Sequence, residues 1–274
     1  MKTKLLALFL ALIFLLSGCK TADNAQVGSL TVTFPDVGAA DCIIIKLESS
    51  AAMIDTGNNG DAEDILACLA QQGIEKLDFL LLTHLDKDHI GGADIVMENI
   101  PIDVVYAPDY DKGNKQYEQY IAALKTLGID PVHPTEPLTL ALGEAEITLL
   151  PGNQAEYEQS NDYSIMAELV HGKNTFLFAG DAEEERLREY LSGAPMQEVD
   201  VLKVPHHGRA NALSEEFFAY AKPAHAIITC SKKEMPEDAV VNFLDSLGAE
   251  VYGTEYGTVT VTSDGMSVVV KQAP

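Results

Sequence analysis

Residues 78–93 read Asp78-Phe-Leu-Leu-Leu-Thr-His-Leu-Asp-Lys-Asp-His-Ile-Gly-Gly-Ala93. The apolar run Phe79–Leu82 is too short for an ordinary helix and predicts a buried strand. Potential metal ligands follow it closely: His84, Asp86, Asp88 and His89. Imidazoles and carboxylates crowded at a strand end would repel and dehydrate one another without a cation, so the stretch predicts a loop that binds one ion or two adjacent ions. The alternative is a solvated acidic loop, but sites are commonly built where a loop follows a buried strand.

The rest of the chain repeats a rhythm of strands and helices in each half. With 274 residues, 47% of them hydrophobic, it is long enough for a proper core. No linker is visible within residues 30–274, which predicts a single domain there. The pattern predicts an α/β protein of two sheets packed face to face, each covered by helices. Acidic and histidine residues stand at strand ends in both halves: Asp55, His84–His89, Asp181 and His206-His207. If those ends converge, one cleft lies along the shared edge of the sheets.

The first residues have the features of a bacterial export signal. Lys2 and Lys4 precede the apolar run Leu5–Leu16, and Leu16-Ser-Gly-Cys19 resembles a lipoprotein cleavage site. We predict that residues 1–18 are a signal peptide, that Cys19 carries a lipid, and that residues 19–29 are a polar tether. The protein would then be anchored on the extracytoplasmic side of a bacterial membrane. The alternatives are an ordinary secretory signal and an uncleaved anchor, although the run is short for a bilayer span.

The charge of the chain restricts its partners. The net charge of −24 becomes −26 when residues 1–18 are removed, because they contain two lysines and no acidic residue. So acidic a chain repels polyanions at a distance, which counts against tight non-specific nucleic-acid binding. It leaves open a metal site that acts locally on a phosphodiester. Beyond Cys19, the cysteines Cys42, Cys68 and Cys230 lack metal-binding spacing and do not predict a disulfide scaffold.

Several segments occur in the order found in the metallo-β-lactamase superfamily: Asp55-Thr-Gly57, the 84–92 loop, Phe178-Ala-Gly-Asp181 and Val204-Pro-His206-His207-Gly208. Together with the opening Val32-Thr-Phe-Pro-Asp36-Val-Gly38 and the Lys-x-x-His-His-Gly pattern, they resemble the hydrolase domain of the ComEC/Rec2 competence proteins and their free-standing relatives. The resemblance covers roughly residues 30–270. It implies a four-layer αββα sandwich with a hydrolytic site for one or two divalent metal ions.

The resemblance also implies roles for individual residues. The implied metal ligands are His84, Asp86, Asp88, His89, Asp181, His206 and His207. The first two would bind one ion, the next two a second ion, and Asp181 would bridge both. Only one of His206 and His207 would be a ligand, and the other would contact the substrate or protonate the leaving group. Asp88, His206 and His207 are accordingly the catalytic candidates, and Asp55 would orient the loop or a ligand histidine.

The sequence differs from most of the superfamily around the first ion. Asp86 stands where most members have histidine, and Asn161-Asp-Tyr-Ser164 replaces a stretch that usually supplies another histidine. With fewer imidazoles, the first ion is expected to bind weakly or only with substrate. Asn161 and Ser164 are either turn residues or contacts to the substrate and the ligands. A set rich in both carboxylates and imidazoles suits Zn²⁺ or Mn²⁺.

These features predict a metal-dependent hydrolase and favour a phosphodiesterase or nuclease that acts outside the cytoplasm through a metal-activated water. Fewer imidazoles leave open positions for an oxyanion, which favours a phosphodiester over a neutral lactam. The expected partners are small or polymeric phosphodiesters, with DNA as one candidate, and the membrane through the lipid on Cys19. The alternatives are a phosphorylcholine esterase of the cell envelope, a β-lactamase or lactonase, and a non-catalytic binding lipoprotein. The oligomeric state stays open.

Overall fold

The computed structural model describes residues 28–193 and 196–273. The predicted signal peptide, Cys19 and all but the last two residues of the predicted tether lie outside these ranges. Within them the chain forms two seven-stranded sheets. No helix in the described ranges has the length and apolar character that crossing a membrane requires.

The first sheet contains the N-terminal strands and the C-terminal hairpin, in the order β14-β13-β1-β2-β3-β4-β5. Its strands are β1 Leu30–Phe34, β2 Ile43–Leu47, β3 Ser50–Ile54, β4 Leu77–Leu81, β5 Ile102–Tyr106, β13 Val259–Ser263 and β14 Val268–Gln272. Strands β3, β4 and β5 are parallel, while the other neighbours are antiparallel. Strand β1 therefore runs in the same direction as β3 and β4. It starts at the end of the sheet opposite to the end where β3 and β4 stop.

The second sheet is built the same way, in the order β12-β11-β10-β9-β8-β7-β6. Its strands are β6 Leu138–Leu142, β7 Ala145–Leu150, β8 Met166–His171, β9 Asn174–Phe178, β10 Val201–Lys203, β11 His225–Ile228 and β12 Glu250–Gly253. Strands β9 to β12 are parallel and β6 to β9 are antiparallel. In each sheet, the carboxyl ends of several parallel strands thus lie together at one end of the sheet. Polar side chains in the loops after these strands are brought close together there.

Helices cover the outer face of each sheet. They are α1 Ala62–Gln71, α2 Lys87–Ile90, α3 Ala93–Asn99, α4 Lys115–Leu127, α5 Glu184–Ser192, α6 Ser214–Ala221 and α7 Asp238–Ser246. Buried apolar residues of α1, α3 and α4 pack on the first sheet, and those of α5, α6 and α7 pack on the second. The predicted four-layer αββα sandwich is therefore confirmed.

A third apolar cluster fills the space between the two sheets. The ring centroids of Phe34 and Phe178 lie 6.4 Å apart across this layer. Those of Phe79 and Tyr106 lie 5.9 Å apart, with the rings edge to face. Burying one such side chain contributes about 1.5–3 kcal/mol. This core fixes how the sheets face one another, and so fixes the relative positions of the polar residues at their shared edge.

Three local features differ from the sequence-based expectations. Strand β12 was not predicted, because four half-exposed residues give almost no alternation of apolar and polar side chains. The metal loop contains a one-turn helix, α2, instead of a continuous curved loop. The sequence pattern predicts a hairpin of residues 164–170 and 175–179 joined by a surface turn that includes His171, but His171 is fully buried, with Nδ1 2.8 Å from the Ser263 hydroxyl. The hairpin turn contains only Gly172 and Lys173, so His171 ends β8 under the tip of the β13–β14 hairpin.

Candidate metal centre

Four of the predicted ligands meet at the shared edge of the two sheets. One ligand atom from each of Asp88, His89, Asp181 and His207 lies within 4.8 Å of the others. The Asp181 Oδ2 atom is 3.2 Å from His89 Nε2 and 3.3 Å from His207 Nε2. His207 Nε2 also lies 3.7 Å from Asp88 Oδ2. The first sheet thus delivers two of these residues, and the second sheet delivers the other two.

The metal loop reaches this position by close backbone packing. After β4, Asp86 is extended, and α2 then turns Asp88 and His89 toward the second sheet. Gly91 and Gly92 follow, where the chain presses against the segment after β3. A Cβ atom on Gly91 would lie 2.4 Å from the Asn59 nitrogen, and one on Gly92 would lie 2.5 Å from the Thr56 oxygen. No side chain fits there, so both glycines are required for this loop to dock.

The adjacent histidines His206 and His207 point to different partners. Both have left-handed backbone angles, with φ of 48° and 52°, in the turn after β10. The Nδ1 atom of His207 donates to the Thr229 carbonyl at 2.8 Å, which leaves Nε2 facing Asp181. His206 instead places Nδ1 3.0 Å from the Glu183 carboxylate and lines the cleft. The geometry therefore separates the two candidates that the sequence could not distinguish: His207 faces the cluster, and His206 faces the solvent-filled cleft.

Asp55 orients His89 from beneath the cluster. Its carboxylate is fully buried and accepts hydrogen bonds from the Thr83 N–H and hydroxyl, each at 2.7 Å. The His89 Nδ1 atom donates to the same carboxylate at 2.8 Å. A protonated Nδ1 leaves the Nε2 lone pair of a neutral imidazole free to face Asp181 and Asp88. Asp55 thus touches a candidate ligand without joining the group of four.

Three further buried side chains, Lys203, Asp41 and Thr229, lie beside the cluster and were not predicted as site residues. The Lys203 ammonium is fully buried, pairs with Asp41, and lies 3.0 Å from the Gly180 carbonyl and 3.4 Å from Asp181 Oδ1. The Thr229 hydroxyl donates to Asp41 Oδ1 at 2.6 Å. A lysine within the apolar strand β10 is the sequence signal that could have revealed this network, because such a charge needs a buried partner.

The electrostatics of the cluster suit a cation. Burial acts to raise the pKa of Asp181, but His207, His89 and Lys203 outweigh it and hold that pKa well below its usual range. Burial also acts to lower the pKa of His207, yet the carboxylates around it raise that pKa to about 9. Without another cation, protons on the imidazoles therefore balance the buried carboxylates. Metal binding requires neutral imidazoles, so those protons would leave when an ion binds.

Unpartnered ring nitrogens give a direct test of fit. Among the described residues, the buried Nε2 atoms of His84, His89 and His207 make no hydrogen bond of good geometry, although those of His89 and His207 lie 3.2 and 3.3 Å from Asp181 Oδ2. Burial lowers the pKa of His84 to about 3, so that its imidazole is neutral and able to act as a ligand. Native proteins rarely leave buried polar atoms unsatisfied. The residues present therefore fit one or two divalent ions, and they are candidate ligands.

The two donors predicted for the first ion lie outside the group of four. The ring of His84 lies against that of His89, with centroids 4.0 Å apart and the ring planes tilted by 51°. Asp86 forms an ion pair with Lys112 and accepts a hydrogen bond from the Ser160 hydroxyl at 3.1 Å. The structure thus brings together four of the candidate ligands but holds Asp86 against neighbouring loops.

The cluster opens into a cleft of about 670 Å³. Asp86, Asp88 and Asp181 lie along its floor, and exposed basic residues border it: Lys87, Arg209 and Lys233. Asn161 lines the cleft and lies 3.3 Å from His206 Nε2. Ser164 does not reach the cleft, because its buried hydroxyl accepts the Asp181 N–H at 3.2 Å. Basic side chains at the border of the acidic cluster can form ion pairs with an anionic group that enters the cleft.

A profile of the metallo-β-lactamase superfamily matches residues 35–231, and the chain belongs to that superfamily. It is similar to competence proteins of the ComEC/Rec2 type, as its motifs predict. The ComE operon protein 3 of Bacillus subtilis strain 168 is 27% identical over 194 residues, which cover 70% of this chain and 25% of that protein. The Recombination protein 2 of Haemophilus influenzae is 27% identical over 202 residues, which cover 72% of this chain and 24% of that protein. The match thus spans about a quarter of the length of these curated relatives.

Solved structures agree with the fold. The metallo-β-lactamase fold protein YhfI from Bacillus subtilis superimposes with a TM-score of 0.57, covering 89% of this chain and 100% of that one. Its sequence is 14% identical, so this likeness concerns the fold alone. Family, fold and candidate ligands together define a hydrolase of the metallo-β-lactamase superfamily with a candidate site for one or two divalent metal ions.

Proposed function

We propose that the protein is a metal-dependent phosphodiesterase. The single observation that carries this proposal is the pairing of the Asp88, His89, Asp181 and His207 cluster with a cleft bordered by Lys87, Arg209 and Lys233. The chain has 18 lysines and arginines against 42 acidic residues, yet three basic residues border this cleft, where they can pair with the negative charge of a diester. An uncharged lactone offers these cations no partner, whereas a phosphodiester always carries a negative charge at the reacting group.

Each group in the site has a distinct part in this proposal. A divalent ion bound there would supply a hydroxide nucleophile near neutral pH and polarise an anionic oxygen. Asp55 and the Thr229 carbonyl hold His89 and His207 with Nε2 directed at the cluster. His206 lies at the cleft; burial lowers the pKa of its imidazole, and it is the protonated form that can donate a proton to the departing oxygen. Glu183, 3.0 Å from His206 Nδ1, orients the ring for that transfer.

We place this activity outside the cytoplasm, on a lipoprotein held by Cys19. The support is the N-terminal sequence, where a basic start, an apolar run and Leu16-Ser-Gly-Cys19 follow in order. The relatives are named for competence and recombination, which is consistent with DNA as one candidate substrate. The net negative charge disfavours long DNA and is equally consistent with a small or envelope-bound diester.

The test combines metal analysis with turnover of bis-p-nitrophenyl phosphate in added Mn²⁺ or Zn²⁺. We expect bound metal and hydrolysis. We expect Asp88→Asn to lower the metal affinity and the turnover by more than the roughly 10–100-fold that loss of a supporting partner costs, since it changes a candidate ligand itself. Asp245→Asn is the matched control, because Asp245 is exposed on α7 and does not line the cleft. Bound metal without diester turnover, or faster hydrolysis of nitrocefin or a lactone, would reject the proposal.

A further inference from the structure

Both sides of the Asp86 carboxylate are held by residues from other loops. Lys112 forms an ion pair with Oδ1, and the Ser160 hydroxyl donates to Oδ2 at 3.1 Å. The side chains of Lys112 and Asp86 are only 24% and 25% exposed. A half-buried ion pair is screened less than a surface pair, so it competes more strongly with other cations.

The loop that carries Lys112 is fixed directly on the metal loop. The Leu85 N–H, between His84 and Asp86, donates to the Tyr110 hydroxyl at 2.8 Å. The Tyr110 ring stacks on Tyr163 with centroids 4.0 Å apart. These contacts place an ammonium group beside Asp86 through the fold itself, not through a freely moving surface side chain.

We propose that Lys112 takes the place of a first metal ion at Asp86. Its ammonium neutralises this carboxylate and repels a divalent ion next to it, so the chain keeps a single tightly bound ion at Asp88, His89, Asp181 and His207. The inference rests on the ligand set of the proposed function, but it concerns metal stoichiometry and not turnover. It assigns Lys112 as a positioning residue that decides how many ions the site holds.

The experiment measures Mn²⁺ stoichiometry on the full-length protein, by calorimetric titration and by metal analysis after gel filtration. We expect one ion per wild-type chain. In Lys112→Met we expect a second ion, whose affinity rises about tenfold or more because the repulsion between the ammonium group and a divalent ion is removed. Lys112→Arg keeps the charge and should retain one ion.

Lys87→Met is the matched control. Lys87 borders the same cleft and carries the same charge, but within the described ranges it forms no ion pair with Asp86. It should leave the stoichiometry at one, and Lys112→Met combined with Asp86→Asn should return to one. The proposal is overturned if the wild type binds no ion or two ions of similar affinity, if Lys112→Met stays at one, or if Lys87→Met has the same effect. None of these readings depends on diester hydrolysis, so a failure of the proposed activity remains distinguishable.

Discussion

Asp55 decides which nitrogen of His89 faces the metal centre. In Asp55→Asn, the amide can still accept from Thr83, but its NH₂ group would oppose the His89 Nδ1–H. The ring would then prefer a proton on Nε2, the atom directed at the cluster. We expect the metal dissociation constant to rise about 10–100-fold, as is usual when the partner of a ligand histidine is lost.

Calorimetric titration with Mn²⁺ or Zn²⁺ checks this prediction. Asp78→Asn is the matched control, because Asp78 lies at the opposite end of β4 from the metal loop. Its carboxylate accepts a hydrogen bond from the Ala51 N–H at 3.1 Å. It should retain the wild-type affinity. An Asp55→Asn variant that binds the ion as tightly as the wild type would contradict the orienting role.

Substitutions of the neighbouring histidines His206 and His207 should have different effects on metal binding and on hydrolysis. His206→Gln is expected to keep its metal and to slow hydrolysis of a diester with an alkyl leaving group about 100-fold, the usual contribution of a proton donor. Hydrolysis of bis-p-nitrophenyl phosphate should change much less, because p-nitrophenolate leaves without a proton. His207→Gln should lose the ion itself. Loss of metal from His206→Gln, or equal slowing of both substrates, would show that the assignment is wrong.

At the scale of secondary-structure elements, the docking of α2 depends on two glycines. In Gly92→Ala, the new Cβ would lie 2.5 Å from the Thr56 carbonyl oxygen, which is backbone and cannot turn away. We expect a loss of about 1–3 kcal/mol in the free energy of unfolding, the usual cost of overpacking. Urea denaturation measures it, and metal affinity should fall as the loop shifts.

Gly60→Ala provides the comparison, because a Cβ on Gly60 would have no atom within 4 Å. Its stability should stay within about 0.5 kcal/mol of the wild type. If Gly92→Ala proved equally neutral, the close approach between the metal loop and the segment after β3 would not be the constraint described above.

The sequence predicts the helices and strands better than it predicts which distant side chains contact one another. Nearly every strand and helix follows from periodicity and flanking turns, whereas β12 does not, because half-exposed edge residues lack a pattern. The loop motifs identify Asp181 and the two neighbouring histidines, but the choice between His206 and His207 depends on backbone angles in one turn. Lys203 and Asp41 are far apart in the chain, and only the packing of strand β10 against the opening segment brings their charges together.

At the scale of the whole molecule, the metal centre joins the two sheets. Asp88 and His89 follow β4 of the first sheet, while Asp181 and His207 follow β9 and β10 of the second. An ion bound to all four stabilises only the folded arrangement. At an ion concentration of 100 times the dissociation constant, this linkage contributes about 2.7 kcal/mol.

For a chain of this length, that energy corresponds to roughly 5–10 °C in the unfolding midpoint. We therefore expect EDTA treatment to lower the midpoint by this amount in differential scanning calorimetry, and re-addition of Mn²⁺ or Zn²⁺ to restore it. Asp88→Asn should remove the difference, whereas Asp245→Asn should keep it. A midpoint that is insensitive to EDTA in metal-loaded wild-type protein would mean that the ion does not bridge the sheets.

The direction of strand β1 has a consequence for orientation. It starts at Leu30, beside Ser263, at the edge of the sandwich opposite to the metal centre. The Gly28 N–H lies at the same end, 3.3 Å from Glu144 Oε2 in the turn between β6 and β7. If a lipid on Cys19 held the chain to a bilayer, as proposed, the tether would join the domain at the end opposite to the cleft. The tether would then leave the cleft free to face away from the lipid surface.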